Sequence, residues 1–472
     1  MSEDGSTPGA PAPDGARRGE DIAGRLARLP TRGMSRRLVV AMAIAFFFDL
    51  GDQGALGIAA PAMRAQLGFE LSDIALLVSS TFVGLLIGAL TGGRLADRIG
   101  RLPVMWASLA VASVGSGLHV LMNDLVAFAV LRVVSAIGMG ALFVVAVTYL
   151  VEMSPTHRRT TRTAIAYFVG MMGTAVIATT ARFVIPLGPD GWRVVFAIGA
   201  LGLLLLPLLK RLPESPLWLA SRGRLDDAYA ALQKFEAGTA PVETLPPPQP
   251  LAVPAPARQA AQSTGAWRDL FRGSLLSPML LLIVVWIVFS MLTQTFNSWL
   301  PTILQLRGFS GETLLTITAV ALYGAPLGSL AAFLLGTRFR RRAMLAGVTA
   351  AAALSGILFG LVPAAGLVAT ATFAQFFLIA WFAPMLNATM AESFPSRLRS
   401  SGSGTAFGAG RLANIVAPFT VAAALTALGP GFIGWFMVVG WIVVGVACVA
   451  LQRLQERRLS VPVAATTGAA GE

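Results

Sequence analysis

The residues able to do chemistry in this chain are few and placed in unusual surroundings. Asp49 and Asp52 stand three apart inside one long apolar stretch, Arg132 inside another and Arg411 inside a third. At the centre of a membrane span each such charge costs at least about 2.5–3.5 kcal/mol, and it persists where it pairs or faces water. A spacing of three puts Asp49 and Asp52 on one helix face. Two carboxylates that close, away from bulk water, do not both ionise easily, and a nearby cation governs the proton that one of them holds. This is the chemistry of taking up and releasing a proton rather than of making bonds. A nucleophile–base pair and a cofactor loop are missing from the sequence, so no enzyme and no cofactor are implied. His119 and His157 sit at opposite ends of their segments, which rules out a histidine metal cluster, and the single Cys448 reads as a packing residue.

The elements that hold these residues follow from composition. Of 472 residues, 55% are hydrophobic and only 12% charged, against about 25% charged in soluble domains. The polar residues fall in short clusters between apolar runs, and a crossing takes about 20 apolar residues. Spans are predicted at 38–63, 74–93, 102–121, 125–151, 163–186 and 193–209, then at 275–300, 313–335, 343–363, 366–390, 402–428 and 431–451. The expected protein is all-α and embedded in a lipid bilayer. It comprises a disordered cytoplasmic tail (1–37), a six-helix bundle (38–210), a cytoplasmic linker (211–274), a second six-helix bundle (275–452) and a tail (453–472). In the linker, Arg224–Ala237 reads as an amphipathic helix and Thr244–Ala257 as an extended, Pro-rich stretch.

The net charge of +13 orients the chain rather than marking it for nucleic acid. With both termini cytoplasmic, 30 Lys and Arg fall in tails and even-numbered loops, three in external loops (Arg64, Arg193, Arg307) and three in spans (Arg132, Arg182, Arg411). Such a bias sets orientation. Asp49 and Asp52 then lie about 16 and 21 Å from the cytoplasmic end of the first span, and Arg132 about 19 Å from the same side. At one depth, either an Asp49–Arg132 or an Asp52–Arg132 pair is expected. Arg411, also near the midplane, suits an anionic group on a solute. Gln53, Gln294, Asn297, Tyr323, Trp381, Asn387 and Asn414 complete a candidate pocket of a few polar groups in apolar walls.

Between the second and third spans runs Gly93-Arg-Leu-Ala-Asp97-Arg98-Ile-Gly100-Arg101. Glu152 and Pro155 followed by Arg158 end the fourth span, and Glu392 and Pro395 followed by Arg397 end the tenth, an internal echo of the two halves. On these residues and the six-plus-six layout, the sequence resembles the major facilitator superfamily. Arg132, Gly138-Met-Gly140 and Pro213-Glu214-Ser215-Pro216 are similar to its sugar-porter branch. Phe48-Asp49-Leu-Gly-Asp52-Gln53 is similar to its metabolite–proton and aromatic-acid–proton symporters. Span 7 has Gln294, Asn297 and Trp299 in place of a sugar-porter glutamine signature, which argues against a sugar.

The resemblance implies a proton-coupled carrier of a small polar or carboxylated metabolite in the cell (inner or plasma) membrane, with Asp49, Asp52 and Arg132 handling the proton. Gly93, Asp97, Arg98, Gly100, Arg101, Glu152, Arg158, Glu214, Glu392 and Arg397 would form a cytoplasmic gate of ion pairs that break on inward opening. A functional monomer is expected. A proton-driven exporter of the same fold is the alternative, although Gly170-Met-Met-Gly173 lacks the proline of drug–proton antiporters. A non-transporting sensor is a more remote one.

Overall fold

The structure is a computed structural model, and it describes residues 21–22, 24–30, 32–239, 266–335, 341–395 and 398–459. Twelve helices among them are long and apolar enough to cross a membrane. Spans 1 to 6 are Gly33–Leu67, Leu71–Ile99, Arg101–Leu121, Leu125–Glu152, Thr156–Leu187 and Gly191–Leu209. Spans 7 to 12 are Leu276–Leu306, Gly311–Leu335, Arg342–Leu361, Ala365–Glu392, Ser401–Leu428 and Phe432–Glu456. Helices satisfy their backbone polar groups internally, which lipid requires. Large apolar side chains such as Leu90, Val126, Phe183, Leu204, Trp435 and Val446 stay exposed on the outside, as a lipid-facing surface should.

Small residues decide which helices touch. Gly84, Gly88 and Gly92 form a four-residue repeat along span 2, and a Cβ at Gly88 would lie 2.1 Å from the carbonyl oxygen of Ile137 on span 4. In the second half, a Cβ at Gly328 of span 8 would lie 2.0 Å from the carbonyl oxygen of Phe377 on span 10. Gly173 of span 5 meets Phe47 of span 1, as Gly410 of span 11 meets Trp286 of span 7. Close backbone approach over small residues is how helices associate where lipid removes the hydrophobic driving force. The duplication read at the ends of spans 4 and 10 therefore extends to the packing: spans 2 and 4 repeat as 8 and 10, and spans 1 and 5 as 7 and 11.

The two bundles meet unevenly. Call the face that carries both described chain ends the terminal face. Polar contacts between bundles lie in the half away from it: Arg64 Nη1 to Gln305 Oε1 at 3.2 Å, Ser79 Oγ to the Ile415 carbonyl at 2.7 Å, and Thr179 Oγ1 to the Tyr323 hydroxyl at 3.1 Å. Arg182 of span 5 approaches Glu312 across the bundles at 3.8 Å. The apolar core has the same asymmetry. One cluster joins the second bundle to Ala55–Met63, Ile74–Val78 and Ala175–Ala181 of the first, whereas the first bundle's terminal-face half packs as a separate cluster.

The N-terminal tail differs from expectation. Residues 1–20 lie outside the described residues, but 21–22 and 24–27 are helical, and span 1 starts at Gly33 rather than at 38. Ile22, Leu26 and Leu29 share a buried cluster with Ala228, Leu232 and Phe235 of the linker helix Leu225–Ala237. The fully buried Glu236 accepts hydrogen bonds from Arg25 and Arg28 at 2.5 and 2.8 Å. This amphipathic clasp escaped the sequence because its two halves stand some 200 residues apart. The Thr244–Ala257 stretch lies outside the described residues.

Candidate functional site: a buried charge pair between five spans

Of the two pairings open in the sequence, the structure forms Asp52–Arg132. Arg132 Nη1 lies 3.1 Å from Asp52 Oδ2, and both side chains are almost wholly buried. Arg132 Nη2 donates to the backbone carbonyl of Asp52 at 2.8 Å, and Nε donates to Thr81 Oγ1 of span 2 at 3.0 Å. The ring of Phe196 lies beneath the guanidinium at 5.9 Å. On the other carboxylate oxygen, Ser116 Oγ of span 3 lies 2.5 Å from Asp52 Oδ1 and 2.9 Å from the Phe196 carbonyl. Spans 1, 2, 3, 4 and 6 thus converge on one ion pair. Thr81 and Ser116 had no distinguishing signal in the sequence beyond being polar residues inside spans.

Asp49, one turn earlier, is buried but differently served. Gln53 Nε2 donates to its Oδ2 at 3.1 Å, and its Oδ1 has no hydrogen-bond partner. Its charge interacts with Asp52 and, across the bundles, with Arg411. Tyr167 of span 5 lies within electrostatic reach of Asp49 and Arg411, and sequence reasoning missed it. Arg411 is exposed, with its guanidinium 4.9 Å from the ring centre of Phe407.

The other pocket candidates divide. Asn414 Oδ1 and Trp381 Nε1 are buried polar atoms without a hydrogen-bond partner. Tyr323 is engaged with Thr179 between the bundles. Gln294 bonds Ser298 one turn along its own helix. Asn297 donates to Thr293 and Asn387 to Ala383, each at 3.0 Å and each within its own span.

At the terminal face four of the expected gate residues, Asp97, Arg101, Glu152 and Glu214, come together inside the first bundle. Arg101 spans Glu152 (2.8 Å) and Asp97 (2.8 Å). Glu214 caps span 3 by accepting from the backbone N–H groups of Arg101 and Leu102, each at 3.1 Å. Gly100 has φ +109°, and a Cβ there would lie 2.6 Å from Glu214 Oε2, so glycine is required twice over. Ser215 then caps the short helix Pro216–Ser221, whose Trp218 Nε1 donates to the Asp97 carbonyl at 2.9 Å. The Pro-Glu-Ser-Pro motif is thus a clamp on the loop between spans 2 and 3. Gly93 makes only ordinary contact with Val144. Arg98, Arg158 and Glu392 are exposed, Arg158 Nε lying 3.1 Å from His157 Nε2; Arg397 lies outside the described residues.

Two duplicated six-helix bundles that meet on one side, the first holding a buried ion pair, define a multi-pass membrane transporter. The chain belongs to the Major Facilitator Superfamily, whose family model matches residues 42–418. Among its relatives, the putative metabolite transport protein YyaJ of Bacillus subtilis is 32% identical over 420 residues, covering 89% of this chain and 92% of YyaJ. The niacin transporter NiaP of Acinetobacter baylyi is 29% identical, with 91% of this chain and 96% of NiaP covered. The inward-open structure of the xylose transporter XylE from E. coli superposes with a TM-score of 0.65 at 19% identity, over 88% of this chain and 95% of XylE, and shares the fold. The protein is therefore a metabolite transporter of this superfamily and not an enzyme.

Proposed function

We propose that the protein is a proton-coupled symporter of a small carboxylated metabolite, working as a monomer by alternating access. The observation that carries this reading is the contrast between two buried carboxylates one turn apart: Asp52 is matched by Arg132, whereas Asp49 has an unpartnered oxygen. Asp49 is the group that takes up and releases the proton. Arg411, on the facing bundle, is the cation that receives the solute carboxylate, and its aromatic neighbour Phe407 suits a planar solute. Asp49 and the solute then compete for Arg411, so a proton on Asp49 and a carboxylate on Arg411 favour each other. Niacin, named for the Acinetobacter relative, is such a carboxylate.

The terminal face is the cytoplasmic one, in keeping with the concentration of Lys and Arg there. With the bundles joined in the opposite half, the conformation described is inward-facing. Arg98, Arg158 and Glu392 meet across the bundles when the cytoplasmic side closes, while Arg101, Asp97, Glu152 and Glu214 keep the first bundle's share of that gate in shape.

The test uses right-side-out proteoliposomes loaded with a pH-sensitive dye and offered pooled sugars, aliphatic acids and aromatic acids. The expected result is inward proton flux with an acid pool, lost in Asp49→Asn and Asp52→Asn. Flux with sugars alone, or no flux with any pool, would overturn the reading.

A further inference from the structure

Inside the first bundle a small cavity lies among spans 1, 3, 4 and 6. Its polar lining is Asp49, Asp52, Ser113 and Ser116, with Gly199 and Ala112 among the rest. Its volume is about 10 Å³, at the threshold of about 10–15 Å³ for a single water. A buried water needs two to four polar partners, and the lining supplies them. Above all, Asp49 Oδ1 is desolvated and has no hydrogen-bond partner in the protein, a state that is costly unless something donates to it. The cavity owes its shape to two close approaches: a Cβ at Gly199 would lie 2.2 Å from Ser116 Oγ and 2.9 Å from Asp52 Oδ1, and one at Gly202 would lie 2.4 Å from Ser113 Oγ.

We propose that this cavity holds one ordered water that relays the proton between Asp49 and Asp52, with Ser113 and Ser116 as positioning residues. The inference rests on the proton-coupled reading above. The step balances: the Asp49 carboxyl gives its proton to the water oxygen, the water gives one of its own to the Asp52 carboxylate, and the water is regenerated. Asp52 then loses its charge opposite Arg132, but Arg132 keeps its bonds to the Asp52 carbonyl and to Thr81. The relay thereby turns the protonation of the site facing the solute into a change of charge balance at the junction of five spans. The other charged or titratable groups that bear on the pair are Arg411 and Tyr167 at Asp49, and His119 at Arg132. Ser113 and Ser116 share a face of span 3, and their hydroxyls fix where the water sits.

The experiment uses the full chain with Ala112→Val, which fills the cavity from its apolar wall, and Ser113→Ala, which removes a water partner. Difference infrared spectra across a pH step in D2O report an internal-water O–D stretch and the carboxyl bands, the latter assigned with Asp49→Asn and Asp52→Asn. Proteoliposomes with labelled nicotinate, benzoate or acetate report solute counterflow and proton-driven accumulation separately. Ala112→Val is expected to lose the water band and keep counterflow, while accumulation falls about tenfold or more. Ser113→Ala, which enlarges rather than crowds the site and so guards against misfolding, is expected to shift the water band and slow accumulation. An unchanged band in both variants, or a lost band with normal accumulation, would overturn the relay. Should the wild type show the band but no proton-driven accumulation with any probe, the symport reading and the relay fall together; coupling that survives in Ala112→Val sinks the relay alone.

Discussion

Arg132 holds Asp52 in two places, with Nη1 3.1 Å from the carboxylate and Nη2 2.8 Å from the same residue's backbone carbonyl. Span 4 is therefore tied to the backbone of span 1 independently of whether Asp52 is ionised. A lysine offers a point charge in place of this planar fork. Arg132→Lys should lose the bonds to Thr81 and to the carbonyl, lowering stability by about 1–3 kcal/mol and abolishing proton-driven accumulation. Thermal unfolding of the purified protein, followed by tryptophan fluorescence, checks the first part and the proteoliposome assay the second.

The two aspartates should separate stability from coupling. Asp52→Asn leaves the Arg132 charge buried without its partner and should cost about 3–5 kcal/mol. Asp49→Asn disturbs one hydrogen bond, from Gln53, and should change stability by only about 1 kcal/mol while losing accumulation. Equal destabilisation by the two variants would contradict the unequal partnering of the two carboxylates.

Gly57 is where the bundles press together in the half away from the termini: a Cβ there would lie 2.8 Å from the Ser298 carbonyl oxygen and 2.9 Å from its Cα. Gly57→Trp should prevent that side from closing and arrest transport. Cysteines introduced at Ser79 and Ile415, where the Ser79 hydroxyl donates to the Ile415 backbone carbonyl at 2.7 Å, should cross-link more with Gly57 in place than in the Gly57→Trp background, so the cross-linking yield is the measurement.

At the clamp, Glu214→Ala leaves two N–H groups at the start of span 3 uncapped and should cost about 1–2 kcal/mol. Gly100→Ala adds both a positive-φ residue and a clash with Glu214. Because the clash disappears when the carboxylate is removed, the double variant should be less destabilised than the sum of the single ones, a comparison made on melting curves.

The clasp between the N-terminal segment and the linker helix should depend on pH. Burial pushes the Glu236 carboxyl up, but hydrogen bonds from Arg25 and Arg28 outweigh it and hold the carboxyl below the usual carboxylate range. A group depressed in the folded state stabilises above its unfolded value and loses that contribution as pH falls through the folded one. The clasp should hold at neutral pH and loosen below about pH 4, and Glu236→Gln should loosen it at every pH. Limited proteolysis after Arg25 and Arg28 reads both effects.

What the sequence determined by itself was the set of spans, their grouping as six plus six, and the depth of the charges. An apolar run of this length has one way to satisfy its backbone in lipid, and charges inside it are too costly to be incidental. Depth placed Arg132 level with both aspartates but is only one coordinate. Which of Asp49 and Asp52 it meets depends on how spans 1 and 4 are rotated, and the glycine approaches that set rotation involve backbone atoms more than a hundred residues apart, as between Phe47 and Gly173. The proposed gate residues were legible as charges at span ends; that Arg101, Asp97, Glu152 and Glu214 bond within one bundle depends on the turn at Gly100. The clasp on Glu236, the approach of Ser116 to Asp52 and the cavity beside Ser113 were decided by tertiary structure alone. Each needs side chains from distant segments to share a volume of a few ångströms, and no local pattern encodes such a coincidence.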